Sequence, residues 1–382
     1  MLKKYLILAS VIFLMLNGKL FADAESFDSL VNKGIREIYN IKFEDAEVTF
    51  RKVIASYPEH PAGRFFLAMI DWWKILLDLD EEKYDDILFQ KLEDVIFQCD
   101  GILKKEPKNV DALFFKGGAI GFRGRLRAVR ESWLKAADDG REALPIVEYA
   151  SKLDPDNKDV ELGFGIYNYY ADVIPDRYPL IKPLMFFFPS GDKAKGIQQL
   201  NNTANHGKYA KYEARYFLMT LYNQFENDPY NAYEYALSLS QEFPDNPNFQ
   251  RWLGRLAVRK GTDLEYFTIF SDVFERCKNG LPGYNNKTER EAAYYKGIYF
   301  RNIRSIDSAK IYLEQSEKLS REIDGKSPSG FLVNSVLYLG YIDDLQGRRE
   351  EAISKYKDVL KMKEFSQSHF HAKLYLERPY TE

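Results

Sequence analysis

Gly34, Ala46 and Phe50 stand twelve and then four residues apart, and the same interval recurs at Gly297, Ala309, Leu313 and at Gly340, Ala352, Tyr356. A fourth copy reads Thr220, Ala232, Ala236, and proline follows eight residues later at Pro58 and Pro244. Pro155 holds the same place after Ala143 and Val147. Small residues at such intervals let two antiparallel helices approach closely, with the larger side chain filling the space behind. Proline then stops the second helix and opens the turn to the next pair. The turns repeat one another: Ser56-Tyr57-Pro58-Glu59, Lys105-Glu106-Pro107-Lys108, Leu153-Asp154-Pro155-Asp156 and Glu242-Phe243-Pro244-Asp245. No period-two strand pattern interrupts them. The expected fold is all-α, a right-handed solenoid of about eight antiparallel helix pairs. The pairs fall at 27–58, 61–107, 110–155, 159–205, 212–244, 248–280, 288–321 and 332–362, and 366–377 caps the open end. The second pair is stretched by an acidic loop, Asp78 to Asp86.

This spacing resembles the tetratricopeptide repeat. The resemblance implies a concave groove lined by the first helix of each pair, and binding of a protein or peptide rather than catalysis. With 45% hydrophobic and 29% charged residues the chain has a foldable balance, not a disordered one. A net charge of −3 argues against nucleic acid as a partner.

The N-terminus reads as an export signal. Lys3 and Lys4 precede an apolar run from Tyr5 to Leu16, then Asn17-Gly18 and Ala22-Asp23-Ala24. The run is shorter than the roughly 18 residues a membrane anchor needs, and no Cys marks a lipoprotein site. Residues 1–24 are therefore expected to be a signal peptide cleaved after Ala24, leaving 25–382 as one periplasmic repeat domain. Cys99 and Cys277 lie several pairs apart, and repeats in a solenoid touch only their neighbours. Two free, buried thiols are expected, not a disulfide.

Residues 172–190 break the repeat. Pro175, Pro179, Pro183 and Pro189 forbid one long helix, while Met185, Phe186, Phe187 and Phe188 are too apolar for a solvated loop. The insert either plugs the core of a thickened repeat or offers an apolar surface to lipid or an outer-membrane partner. Its flanks are Gly163-Phe164-Gly165-Ile166-Tyr167-Asn168 and Gly191-Asp192-Lys193-Ala194-Lys195-Gly196-Ile197-Gln198-Gln199-Leu200. Together they resemble the signature of the tetratricopeptide repeat protein 39 family, which includes the fungal inclusion-body clearance proteins. That resemblance implies a helical repeat fold without enzyme chemistry; the export signal departs from it. Gly163 and Gly165 are expected to let the insert lie close to its helix, and Asp192 to cap the helix that follows.

No constellation selects an enzyme. His60, His206, His369 and His371 are scattered, and on a helix His369 and His371 point apart, so they cannot share one ion. Phosphate loops, nucleophile elbows and zinc spacings are absent. No catalytic residue, metal or cofactor is expected. Two basic sets remain. Arg123, Arg127 and Arg130 form one helix stripe beside Arg125, read as solvated and paired with Glu131 and Asp138-Asp139. Arg251, Arg255 and Arg259, at i, i+4 and i+8, take groove-facing places, joined by Tyr294, Arg301 and Asn302 from the next pair. Like charges so spaced oppose a helix. Either facing acids such as Glu291 and Asp344 compensate them, or an anionic ligand does. The expected function is an exported scaffold gripping a protein or peptide partner, acidic under the second reading. The alternative is a lipid- or membrane-associated protein using insert 172–190.

Overall fold

The computed structural model describes residues 26–177 and 189–381, and among them every regular element is a helix. The first pair is α1 (Phe27–Tyr39) and α2 (Phe43–Ser56), the second α3 (Ala62–Leu77) and α4 (Asp85–Lys105), the third α5 (Val110–Val129) and α6 (Trp133–Leu153). Next come α7 (Glu161–Arg177) with α8 (Lys193–His206), and α9 (Lys211–Gln224) with α10 (Pro229–Glu242). The C-terminal pairs are α11 (Pro247–Lys260) with α12 (Asp263–Lys278), α13 (Asn286–Asn302) with α14 (Ile306–Ile323), and α15 (Gly330–Leu345) with α16 (Arg349–Val359). A last helix, α17 (Ser368–Glu377), caps the array. The eight expected pairs are all present, and the chain is an all-α solenoid.

Local chemistry sets the boundaries. Side-chain oxygens of Asn109, Asp192, Asn246, Asn285 and Ser329 accept backbone N–H groups in the first turns of α5, α8, α11, α13 and α15. Pro229 and Pro247 open α10 and α11 where their missing N–H costs nothing. The repeated small residue does what its spacing demands. A Cβ on Gly254 would come within 2.7 Å of the Phe270 ring, and one on Gly297 within 2.7 Å of Leu313. Gly34 meets Phe50 and Gly340 meets Tyr356 in the same way.

Two expectations change. Arg123 is buried, not solvated: it bonds Asp139 (2.9 and 2.7 Å), Glu93 (2.6 Å) and Glu142 (2.8 Å). Arg127 also reaches Asp139, while Arg130 holds Asp85 rather than Glu131. Gly163 and Gly165 face Val147 of α6 and Leu200 of α8, while residues 178–188 of the insert they were expected to admit lie outside the described residues. It is Gly191 whose backbone presses on α7, and Asp192 N–H donates to the Asn168 carbonyl at 3.0 Å. Asp192 caps α8 as expected, accepting Lys195 N–H at 2.9 Å. Finally, α7 continues through Pro175 to Arg177. Met185, Phe186, Phe187 and Phe188 lie outside the described residues, as do residues 1–24. Cys99 and Cys277 are free thiols, the first buried and the second half-buried, and burial pushes both up to about 12. No described helix is long and apolar enough to cross a membrane.

The third dimension adds a contact that neighbouring repeats alone would not make. Pairs one and two fold back onto pairs five, six and seven. Trp73 of α3 packs among Tyr39, Tyr216 and Phe249, with ring centroids 4.8, 6.3 and 5.5 Å away. Polar groups close the same seam: Asn246 donates to the Tyr39 carbonyl (2.8 Å) and Asn248 to the Leu76 carbonyl (3.2 Å). One continuous apolar core therefore joins α1 and α3 to α9, α11 and α13.

Candidate partner-binding face

First helices line the inner face of the solenoid, and that face has two halves of different character. In the N-terminal half it is occupied by the protein itself. Arg36 of α1 bonds Tyr212 (3.1 Å) and Glu242, and Lys287 of α13 bonds Asp80 (2.7 Å) and Asp78. Between these rims Arg125 pairs with Glu213 and lies over Trp72 and Phe217, at 4.7 and 4.5 Å from their ring centres. Glu213 also accepts from the buried Tyr39 hydroxyl at 3.1 Å. A guanidinium enclosed by two aromatic faces and a carboxylate is held by cation–π and ionic attraction in a poorly solvated setting, where both are strong.

The expected groove arginines divide between two places. Arg251 donates from Nε to Glu291 (2.7 Å), and Arg255 donates to the same carboxylate from Nε and from Nη2 (2.7 Å). The Glu291 side chain has no solvent exposure. Burial alone pushes its pKa up, but Arg251 and Arg255 outweigh burial and bring it down to about 2. Compensation by a facing acid is thus the arrangement these two adopt. Arg259 stands apart, exposed, donating to the Asn223 carbonyl (3.0 Å), the Asn223 side chain and Asn227 Oδ1 (2.6 Å) at the C-terminal end of α9. A cation there complements the negative helix terminus.

Asp344 does not face these arginines. It accepts from Arg349 (3.0 Å), the Tyr356 hydroxyl (2.8 Å) and Tyr380 N–H (2.9 Å), while Arg349 donates to the carbonyls of Tyr375 and Leu376 and so closes the end of α17. Asp344 is a docking point for the cap.

The other expected residues come together on α13 and α15. Arg301 lies over Tyr338, 4.2 Å from its ring centre, and Tyr294 stacks towards the same ring at 6.4 Å. Arg301 also donates to Asn302, which is exposed. Among the described residues no acid pairs with Arg259 or Arg301 within 4 Å. Arg251, Arg255, Arg259 and Arg301 against Glu291 give these five groups three net positive charges. Tyr338 and Phe331 were missing from the sequence reading, although Phe331 and Tyr338 sit seven residues apart, one face of α15. The histidines do not converge: His60 lies beside Phe27 and Asp111, His371 on Tyr375, and His369 bonds the Met362 carbonyl.

No family model matches the sequence, and no curated protein matches it. Among solved structures the chain is similar to the APC/C hetero-tetramer Cut9–Hcn1, 16% identical with a TM-score of 0.51 over 94% of this chain. It spans 57% of that chain's length. The C-terminal part of a TPR repeat-containing protein from Cytophaga hutchinsonii is 13% identical, covering 80% of this chain and 98% of its own, at TM-score 0.36. Yeast Tom70 is 10% identical, covering 94% and 89%, also at 0.36. Paired helices at the observed spacing, with the first of these likenesses, define a tetratricopeptide-type α-solenoid. The segments 163–168 and 191–200 form an α7–α8 clasp, with Asn168 Nδ2 donating to Gln199 at 2.7 Å.

Proposed function

We propose that the protein is an exported interaction scaffold that holds an acidic protein or peptide segment on the C-terminal half of its inner face. The observation that carries this reading is the contrast between the two halves. One half is filled by the chain's own Trp72, Trp73 and Tyr39, while the other presents Arg259, Arg301, Asn302 and the Tyr294–Tyr338 rings. Arg251 and Arg255 form the floor, leaving one positive charge beyond what Glu291 neutralises. Planar guanidinium groups offer two-point contacts to carboxylates, and rigid helical walls lower the ordering cost on the scaffold's side. Export after cleavage at Ala24 belongs to the same proposal; N-terminal sequencing of the exported form should begin at Glu25.

The test compares capture by the mature protein and by an Arg259→Gln/Arg301→Gln variant from an envelope extract. Charge-assisted contacts contribute about 1.5–3 kcal/mol each, so the variant should lose acid-rich partners at least tenfold at an unchanged melting temperature. Retention of the same partners by the variant overturns the reading. Flotation of the protein with liposomes, undiminished in that variant, would favour membrane association instead.

A further inference from the structure

A second surface lies on the outer side of the array, where α12 and α14 flank α13. Glu289, Lys296, Phe300 and Ile303, at i, i+7, i+11 and i+14, form one stripe of α13. Printed side-chain geometry ties that stripe to both neighbours. Phe300 meets Phe267 of α12 with ring centroids 5.2 Å apart and stacks on Tyr312 of α14 at 5.5 Å. Phe274 of α12 meets the same Tyr312 ring at 5.6 Å. Lys296 stands between these last two, 4.4 Å from the Phe274 ring centre and 4.3 Å from that of Tyr312. Glu289 bridges the same helices, accepting from Lys278 of α12 at 2.6 Å and from Gln315 of α14. These contacts place one strip across three helices. Tyr294 and Arg301 leave α13 on another side, towards Tyr338 of α15.

The strip holds a cation without an acid. Lys296 is 5% exposed and forms no ion pair or hydrogen bond among the described residues. Glu289, the acid of the same stripe, is engaged by Lys278 and Gln315. Aromatic faces attract an ammonium group but offset its lost hydration only in part. On α12 the Ser271 hydroxyl, set between Phe267 and Phe274 in sequence and on the same side of the helix, is likewise buried with no hydrogen-bond partner among the described residues. Past the rings the strip becomes apolar and open. Phe267 stacks on Tyr299 at 4.0 Å; Leu264 precedes the first by three residues and Ile303 follows the second by four. In antiparallel helices both therefore lie one turn beyond the same stacked pair, and they are 69% and 53% exposed.

We propose that this outer strip docks a short amphipathic helix of a partner protein, one carboxylate of which pairs with Lys296. Phe300 and Ile303 follow Lys296 by one and two helical turns, so apolar side chains one and two turns from that carboxylate would cover Phe300 and then Ile303 with Leu264. A helix laid along a stripe is read by anchors at such intervals. The charge fixes the register: an acid meets the unpaired ammonium, while a basic side chain there would be repelled. The strip is separate from the arginines of the inner face, so the two surfaces can be tested independently.

The test uses three labelled helical peptides read by fluorescence anisotropy against the mature protein. The first carries Glu with Leu one and two turns further along the same face, the second has Gln for that Glu, and the third moves Glu to the opposite face. The first should bind about tenfold more tightly than either of the others, the margin of a charge-assisted contact. Lys296→Met keeps the apolar stem between the rings and should bind the Glu and Gln peptides alike. Leu264→Ser with Ile303→Ser replaces exposed side chains, so it should keep the melting temperature and weaken the Glu peptide at least tenfold. Arg259→Gln with Arg301→Gln should bind that peptide as the unaltered protein does. Equal binding of the Glu and Gln peptides by the unaltered protein, binding of none, or full binding by the double serine variant overturns the proposal. Self-association in sedimentation that the double serine variant abolishes also overturns it, assigning the strip to a second copy of the chain.

Discussion

Arg255 donates two hydrogen bonds to Glu291, a carboxylate that no solvent reaches. Without Arg255 the buried carboxylate keeps Arg251 as its one cation, and losing the charge-assisted bonds costs about 1.5–3 kcal/mol. Arg255→Gln should lower the unfolding free energy measured in urea by that amount, whereas Arg259→Gln should change it by no more than about 0.5 kcal/mol.

The same pair sets a pH dependence. Glu291 has a folded-state pKa of about 2, below its ordinary 4.5. A carboxylate so depressed stabilises the fold fully above 4.5, and that contribution is lost as pH falls from there through about 2. Urea melts at pH 6, 4 and 3 should show a decline that is shallower in Glu291→Gln, which is less stable at pH 6 but has no proton to bind. Equal slopes for the two proteins would contradict this.

Glycines separate into two kinds by what surrounds them. Gly254→Ala drives a methyl against the rigid Phe270 ring and should destabilise by about 1–3 kcal/mol. Gly101 and Gly121 have nothing within 4 Å of an added Cβ, so alanine there should stabilise by about 0.5–1 kcal/mol through helix propensity. Thermal melts of the three variants decide it.

Trp73→Ala removes the side chain that joins α3 to Tyr216 and Phe249, and should cost about 3–5 kcal/mol. A local loss would leave the solenoid's dimensions alone. Opening of the seam should instead raise the radius of gyration in small-angle scattering and speed amide exchange in α11. Phe97→Ala, at an 82% exposed position, should alter neither.

Both thiols should resist labelling in the folded protein, because burial pushes Cys99 and Cys277 up to about 12 and leaves little thiolate at neutral pH. In denaturant without reductant both should label. Labelling that requires reduction would mean a disulfide and a different packing of α4 and α12.

The helix pairs were legible because their causes are local. Gly34 with Phe50 and Gly254 with Phe270 are sixteen residues apart, close enough for one window to hold both partners and the turn between them. Of the groove residues, the spacing placed Arg251 and Arg255 near Glu291, since successive first helices are neighbours. It did not separate Arg259, whose partners Asn223 and Asn227 sit on the preceding pair, and it assigned Asp344 to the wrong task. Burial of Arg123 was equally hidden, because Glu93 lies thirty residues away on another pair.

By itself the sequence determined the repeat, its turns and caps, and an all-helical chain in which each helix buries a face against the next. Only the tertiary structure decided that the inner face closes on itself in its first half. Tyr39 and Asn246 meet across 207 residues, a distance set by the small rotation added at each of the intervening pairs. No single repeat encodes that sum. One trace of it was nevertheless present in α3, where Phe65, Phe66, Met69, Ile70, Trp72 and Trp73 point around the whole helix. A helix apolar on every side must be covered on every side, and the partner that covers this one is the protein's own distant half.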